Sequence, residues 1–375
     1  MTVDFYEYRA HHWHETLDLQ IRLQGAEKAI RAMRGGIFPR ANSNGLLTTE
    51  IQQIVGRLTS MSGWYQSWAK EASARVELGR DALRLGRKIT AREALLQATY
   101  LYFYGQLYAK FGHPEKREGS LRMIECYSQA GALLEPPAER VEIPFRETNL
   151  PGYLRIPGGP EKKPGLIMLG GADTVKEECH RWSEHFLARG VATLAVDGPG
   201  QGESHATLPM SADYEKAVST IREWLSNRPA IDRRRLGVWG CSTGGYLAAR
   251  CLAFDPQLSL GVSVGGFYDA RLFPDWPPPT QEAFQRLFWL ENLSQTVQYV
   301  QENVTLKPLM SRIERPLLIV HGVRDHLVPK AEIQEMVDRA PDKAELWAYE
   351  DGTHSVWNKL DVAAPRTADW VAAHL

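Results

Sequence analysis

The sequence predicts an α/β protein with a separate all-helical N-terminal domain. Three observations carry that expectation. Residues 1–135 read as helix after helix. After Pro136-Pro137 the texture changes to short β-rich segments separated by helical patterns, the signature of a mostly parallel sheet covered on both sides. Two of those segments, Leu166-Ile167-Met168-Leu169 and Leu317-Leu318-Ile319-Val320, are apolar throughout, as strands buried on both faces must be. Two domains are expected, 1–136 and 137–375, in line with roughly 100–200 residues per domain.

Within the first domain, 64–87 is charged and alanine-rich. Thr90-Ala91-Arg92-Glu93 reads as a capping box that opens the next helix. Residues 94–111, with Leu95, Leu96, Tyr100, Tyr102, Phe103, Tyr104 and Tyr108, are apolar nearly all round, so that helix should be buried or roof a cavity. Gly112-His113-Pro114 ends it, and 115–134 forms another helix. Residues 35–45 read as a loop. In the second domain strands are expected at 140–146, 153–156, 166–169, 191–196, 236–239, 260–264, 317–321 and 346–349. A helix at 213–227 aligns Ala217, Val218, Ile221, Trp224 and Leu225 on one face. Residues 267–314 interrupt the alternation. They are aromatic-rich, contain Trp276-Pro277-Pro278-Pro279, and are expected to lie over the sheet's carboxyl edge, where α/β proteins bind ligands.

Composition excludes several classes. Of 375 residues, 43% are apolar and 24% charged, so the chain is not largely disordered. Lysine plus arginine against aspartate plus glutamate is 44 − 45 = −1. No basic excess exists to neutralise nucleic acid or an anionic membrane. No apolar run reaches the ~18–20 residues of a spanning helix. The start lacks a basic stretch followed by an apolar core, so no secretory signal is expected. Cys126, Cys179, Cys241 and Cys251 lack CxxC spacing and are read as reduced thiols of a cytoplasmic protein, with no zinc site.

Gly240-Cys241-Ser242-Thr243-Gly244 matches G-x-S-x-G. The match follows an expected strand and precedes an expected helix, 246–254, the context a nucleophile elbow requires. Its glycines permit a sharp turn that lifts the Ser242 hydroxyl above the sheet. A serine needs a base, and the base needs an orienting acid. In this chain order, Ser then acid then His, the candidates are Asp325 and His354, each in a loop just past a strand. His321 and His326 compete for the base role. An oxyanion hole would combine the N–H of Thr243 with that of Ala172, behind the flexible pair Gly170-Gly171. Other candidates have plainer readings. Asp197-Gly198-Pro199-Gly200-Gln201-Gly202-Glu203 misses dinucleotide spacing and reads as a structural turn beside the site. His11-His12-Trp13-His14 reads as a wet helix face rather than a metal site. Cys241 reads as packing.

Together these residues resemble the α/β-hydrolase superfamily. The stretch from Ile167 to Glu178, the turn Asp197–Glu203 and Gly265-Gly266-Phe267 narrow the likeness to carbon–carbon hydrolases typified by 2,6-dihydroxypseudooxynicotine hydrolase of nicotine breakdown, and to the fungal enzymes that shorten polyketide chains. The resemblance implies an α/β-hydrolase fold of about eight strands with a helical N-terminal lid, a Ser242–His354–Asp325 triad, a small-molecule substrate and a homodimer. It also implies an additional active-site acid, for which Asp269 and Asp275 lie in the right stretch. Substrate contacts are expected from Gly171, from Tyr100 and Tyr104 one helical turn apart, and from Tyr268, Asp275 and Trp276. No metal or organic cofactor is expected. Cleavage of a carbon–carbon bond beside a carbonyl is the first expectation. Carboxylester or thioester hydrolysis, or non-catalytic binding on the same fold, are the alternatives.

Overall fold

The computed structural model describes residues 5–33, 36–110, 112–340 and 342–375, with side chains from residue 12 onward. It divides into two compact units, Tyr8–Glu139 and, with the described residues 5–7, Arg140–Leu375.

The first unit is helical. Its long helices Trp64–Arg84, Lys88–Leu107 and Pro114–Gly131 pack side by side. Residues Ala98 to Gln106 are buried on every side of their helix, which matches the lack of a polar stripe in the sequence. Trp64, Trp68 and Tyr104 form a ring cluster, and the Trp64 indole donates to the Tyr104 carbonyl at 2.9 Å. Three expectations need correction here. The capping box is not formed: the helix starts at Lys88, two residues before Thr90, and its N-cap Arg87 makes no side-chain capping bond. The left-handed Gly86 (φ 69°) reverses the chain after Trp64–Arg84, so the next helix begins at once. The segment 35–45 is not all loop, because Ile37–Ser43 is helical and buries Ile37, Phe38 and Ala41; Gly35 lies outside the described residues. His14 is not on a wet face. It shares a helical face with Leu17 and Ile21, all three buried, while the His11 side chain and Phe111 lie outside the described residues.

The second unit is built on one sheet. Its strands are β1 (Glu139–Phe145), β2 (Thr148–Arg155), β3 (Lys163–Leu169), β4 (Ala192–Val196), β5 (Ile231–Cys241), β6 (Leu260–Val264), β7 (Leu317–Gly322) and β8 (Ala344–Tyr349). Among the described residues the order is β1-β2-β4-β3-β5-β6-β7-β8. β2 runs antiparallel to β4, and every neighbouring pair from β4 through to β8 is parallel. Helices Glu215–Ser226 and Thr243–Phe254 pack on the sheet, while Trp182, Phe186 and the helix Leu360–His374 join the core with Met168, Trp239, Val262 and Val320. Burial of each such apolar side chain contributes roughly 1.5–3 kcal/mol. The four cysteines are buried free thiols. No described helix is long and apolar enough to cross a membrane.

Candidate active site

The site begins with the turn after β5. Ser242 has φ 54° and ψ −123°, a conformation few non-glycine residues adopt. Its neighbours permit that turn by lacking side chains. A Cβ on Gly240 would sit 2.0 Å from the Gly244 carbonyl oxygen, and one on Gly244 would sit 2.2 Å from the Leu169 oxygen. The Ser242 N–H donates to the Val264 carbonyl at 2.8 Å, which pins the turn to β6. The carbonyl of Ser242 accepts the N–H groups of Gly245 and Tyr246, starting the helix Thr243–Phe254. The Thr243 N–H therefore stands in the first turn, where no acceptor exists within its own helix and the helix dipole favours negative charge.

Two loops from the carboxyl ends of β7 and β8 complete the cluster. His354 Nε2 lies 2.9 Å from Ser242 Oγ, and His354 Nδ1 lies 2.7 Å from Asp325 Oδ2. The other Asp325 oxygen accepts the N–H groups of Leu327 and Val328 at 2.8 and 3.1 Å. Burial alone would push the Asp325 carboxyl up, but the adjacent His354 and these hydrogen bonds outweigh it and hold it below the usual range. His354 is followed by Ser355 (φ 52°) and Val356 (φ 49°), a left-handed pair that is strained for a β-branched residue. The turn is braced by Asn358, whose Oδ1 accepts both the N–H and the hydroxyl of Thr353.

The competing histidines are placed elsewhere. His326 is exposed, its ring 6.3 Å from that of His354. His321 is fully buried, and burial lowers its pKa.

Of the expected oxyanion elements, Gly171 lies against the elbow: a Cβ there would be 3.0 Å from Ser242 Cβ. Ala172 follows it, partly exposed. The expected substrate contacts diverge. Trp276 is buried, stacked edge-on with Phe267 and Phe273, and its indole donates to the Leu327 carbonyl beside Asp325. Tyr268 is fully buried near Glu335 and Arg339, and its N–H donates to Glu332. Asp275 is exposed. Asp269 is occupied: it caps the turn at Arg271 and pairs with Lys307. Tyr100 is buried in the helical unit, and the Tyr104 hydroxyl accepts from Asn44 at 2.7 Å within the same unit. No group of three or more metal-ligating side chains is found among the described residues.

Sequence reasoning missed two buried residues, Gln201, which donates to the loop after β3, and Tyr214, whose hydroxyl donates to Gln201. Their only sequence signal is a glutamine between glycines. It also missed Glu332, whose carboxylate accepts the N–H groups of Tyr268 and Asp269; a helical glutamate carries no such signal.

A mostly parallel sheet whose fifth strand ends in a strained serine turn, with an acid and a histidine converging from later strands, defines the α/β-hydrolase class. A family model described as esterase FrsA-like matches residues 55–269, and one described as the prolyl oligopeptidase family matches 179–375. The chain belongs to this FrsA-like and prolyl-oligopeptidase group of α/β hydrolases. It is 32% identical to the 2,6-dihydropseudooxynicotine hydrolase of Paenarthrobacter nicotinovorans over 309 residues, covering 82% of this chain and 83% of that one. A crystal structure of the 2,6-dihydroxy-pseudo-oxynicotine hydrolase aligns with a TM-score of 0.84 at 30% identity, over 90% of this chain and 95% of that one. The alpha/beta hydrolase pydG of an Acremonium species is 31% identical over 61% of this chain; the match spans 57% of that fungal protein.

Proposed function

We propose that this α/β hydrolase is a serine enzyme that cleaves a carbon–carbon bond beside a carbonyl in an aryl ketone or polyketide-like substrate. The observation that carries the serine chemistry is the continuous contact from Ser242 Oγ through His354 to Asp325 Oδ2. Ser242 Oγ attacks the carbonyl carbon while its proton passes to His354 Nε2. Asp325 keeps Nδ1–H oriented and stabilises the imidazolium. The N–H groups of Ala172 and Thr243 hold the oxyanion. Collapse breaks the adjacent carbon–carbon bond, and the departing carbanion, an enolate or its equivalent, takes the proton from His354. Water, deprotonated by His354, then attacks the acyl-serine. The products are a carboxylic acid and a shortened ketone or arene.

Carbon–carbon cleavage rests on the resemblance of the catalytic half to hydrolases of that kind. Ester or thioester hydrolysis is the second reading, favoured by the esterase FrsA-like match, and it uses the same residues without a carbon leaving group. Residues 1–136 are proposed as a helical domain of their own, and the chain as a homodimer. The deciding experiment incubates the enzyme with matched aryl 1,3-diketones and aryl esters and identifies the products. Carboxylic acid plus ketone from the diketones supports the first reading. Turnover confined to the esters overturns it in favour of the second.

A further inference from the structure

We infer that Gln201, held by Tyr214, is a positioning residue that aims the Ala172 N–H into the oxyanion hole. The inference rests on the reading of Ala172 as an oxyanion donor.

Gln201 lies in the glycine-rich turn after β4, a motif the triad chemistry does not use. Its Nε2 donates to the Gly170 carbonyl at 2.6 Å and to the Gly171 carbonyl at 3.1 Å. The orientation of this amide is set from its other side, where Tyr214 donates its hydroxyl to Gln201 Oε1 at 2.6 Å. With Oε1 accepting, the NH2 group must face the carbonyls. Gln201 and Tyr214 are buried, 2% and 1% exposed, so water does not compete for these bonds. Gly198 admits the phenol: a Cβ at that position would sit 1.9 Å from the Tyr214 oxygen.

The geometry of the peptide bond turns these contacts into function. The Gly171 carbonyl and the Ala172 N–H belong to one planar trans unit, so they point in opposite directions. Fixing the carbonyl oxygen on Gln201 fixes the direction of the N–H. The glycine pair would otherwise rotate freely, because glycine populates both signs of φ. A donor on the carbonyl oxygen also polarises the amide, which strengthens its N–H as a donor. The same turn grips the loop at a second point. Asp197 Oδ1 accepts the Lys176 N–H at 2.8 Å, and Oδ2 accepts Lys176 Nζ at 2.9 Å. Loop and turn are thus joined on both sides of Ala172, at Gly170-Gly171 and at Lys176.

The test uses full-length protein and the rate at which a fluorophosphonate labels Ser242, since the phosphoryl oxygen gains negative charge in the same hole. Gln201→Met keeps the length and loses the donors. Its labelling rate plateau should fall about 10²–10³-fold, the loss expected for one oxyanion donor. The pH midpoint of labelling should stay where it is, because the serine–histidine contact is untouched. Tyr214→Phe, the milder change, should lose about tenfold, and Gln201→Glu, which faces a carboxylate with two carbonyls, should lose at least as much as Gln201→Met. A plateau within twofold of wild type in folded Gln201→Met overturns the inference. So does a shifted midpoint, which would mean the triad itself was disturbed. If Gln201→Met does not fold, Tyr214→Phe decides: an unchanged plateau overturns the inference and a lowered one supports it. Labelling that persists in Ser242→Ala would instead defeat the serine mechanism on which the inference stands.

Discussion

His354 Nε2 stands 2.9 Å from Ser242 Oγ across a sequence separation of 112 residues. Each residue is held by its own strained turn, Ser242 at φ 54° and the Ser355-Val356 pair directly after His354 at φ 52° and 49°. Strain of this kind persists only where surrounding packing over-determines it. Here the sheet edge and the buried Val356 do so.

The first prediction concerns this contact. Ser242→Ala and His354→Ala should each lower kcat by about 10⁴–10⁶ while the fold is retained, and Asp325→Asn should cost somewhat less. Steady-state kinetics on purified variants, with circular dichroism as the folding control, measure this. Near-normal turnover by Ser242→Ala would sink the proposed mechanism.

A second prediction tests the glycine requirement at the elbow. Gly244→Ala places a Cβ 2.2 Å from the Leu169 oxygen and 2.6 Å from the Gly170 oxygen, both backbone atoms. It should abolish soluble expression or destabilise by more than about 3 kcal/mol. Gly56→Ala is the control: it is a helical position with open space around it, so it should be neutral or mildly stabilising. Urea denaturation distinguishes the two, and equal stabilities would contradict the packing described for the elbow.

The third prediction is a pH dependence. Glu177 is buried beside Lys176, and burial pushes its carboxyl up to about 7 against the opposing pull of that lysine. The unfolded glutamate titrates near 4.3, so between about pH 4.5 and 7 the folded state binds more protons than the unfolded one. The stability tied to this group is therefore full below that window and is lost as pH rises through it. Glu177→Gln removes the titration. Measured from pH 5 to 7, wild type should lose about 1–3 kcal/mol relative to the variant. Parallel stability curves would show that Glu177 is ionised in both states.

A fourth prediction separates packing from substrate contact at Tyr104. Its hydroxyl accepts from the buried Asn44 amide, so Tyr104→Phe should cost about 1–2 kcal/mol of stability and leave KM unchanged. A raised KM with unaltered melting temperature would restore Tyr104 as a substrate contact.

Much of this architecture was legible locally. The central strands β3, β4, β6 and β7 stood out as short apolar runs, because a strand buried on both faces leaves little room for polar residues, whereas the edge strands β1 and β8 keep exposed positions and were legible from their β-rich composition. Ser242, Asp325 and His354 could be singled out as candidates because each follows a strand, and the carboxyl ends of parallel strands share one edge. The errors have a common cause. Thr90-Ala91-Arg92-Glu93 carries the letters of a capping box, but the reversal at Gly86 had already started the helix. Ile37–Ser43 contains a proline and is flanked by glycines, yet burying Ile37, Phe38 and Ala41 made it a helix. In both places a neighbouring element outweighed local propensity.

By itself, the sequence determined the two textures of the chain, the strand set and the elbow glycines. These depend on composition and spacing over a few residues, where sterics and burial act directly. Only the tertiary structure decided which histidine meets Ser242, that Asp269 is consumed by Arg271 and Lys307, and that Gln201 reaches the carbonyls of Gly170 and Gly171. A hydrogen bond between residues some thirty positions apart leaves no periodicity behind. It exists only because the sheet brings the loops after β3 and β4 together, and burial then obliges their polar groups to find each other.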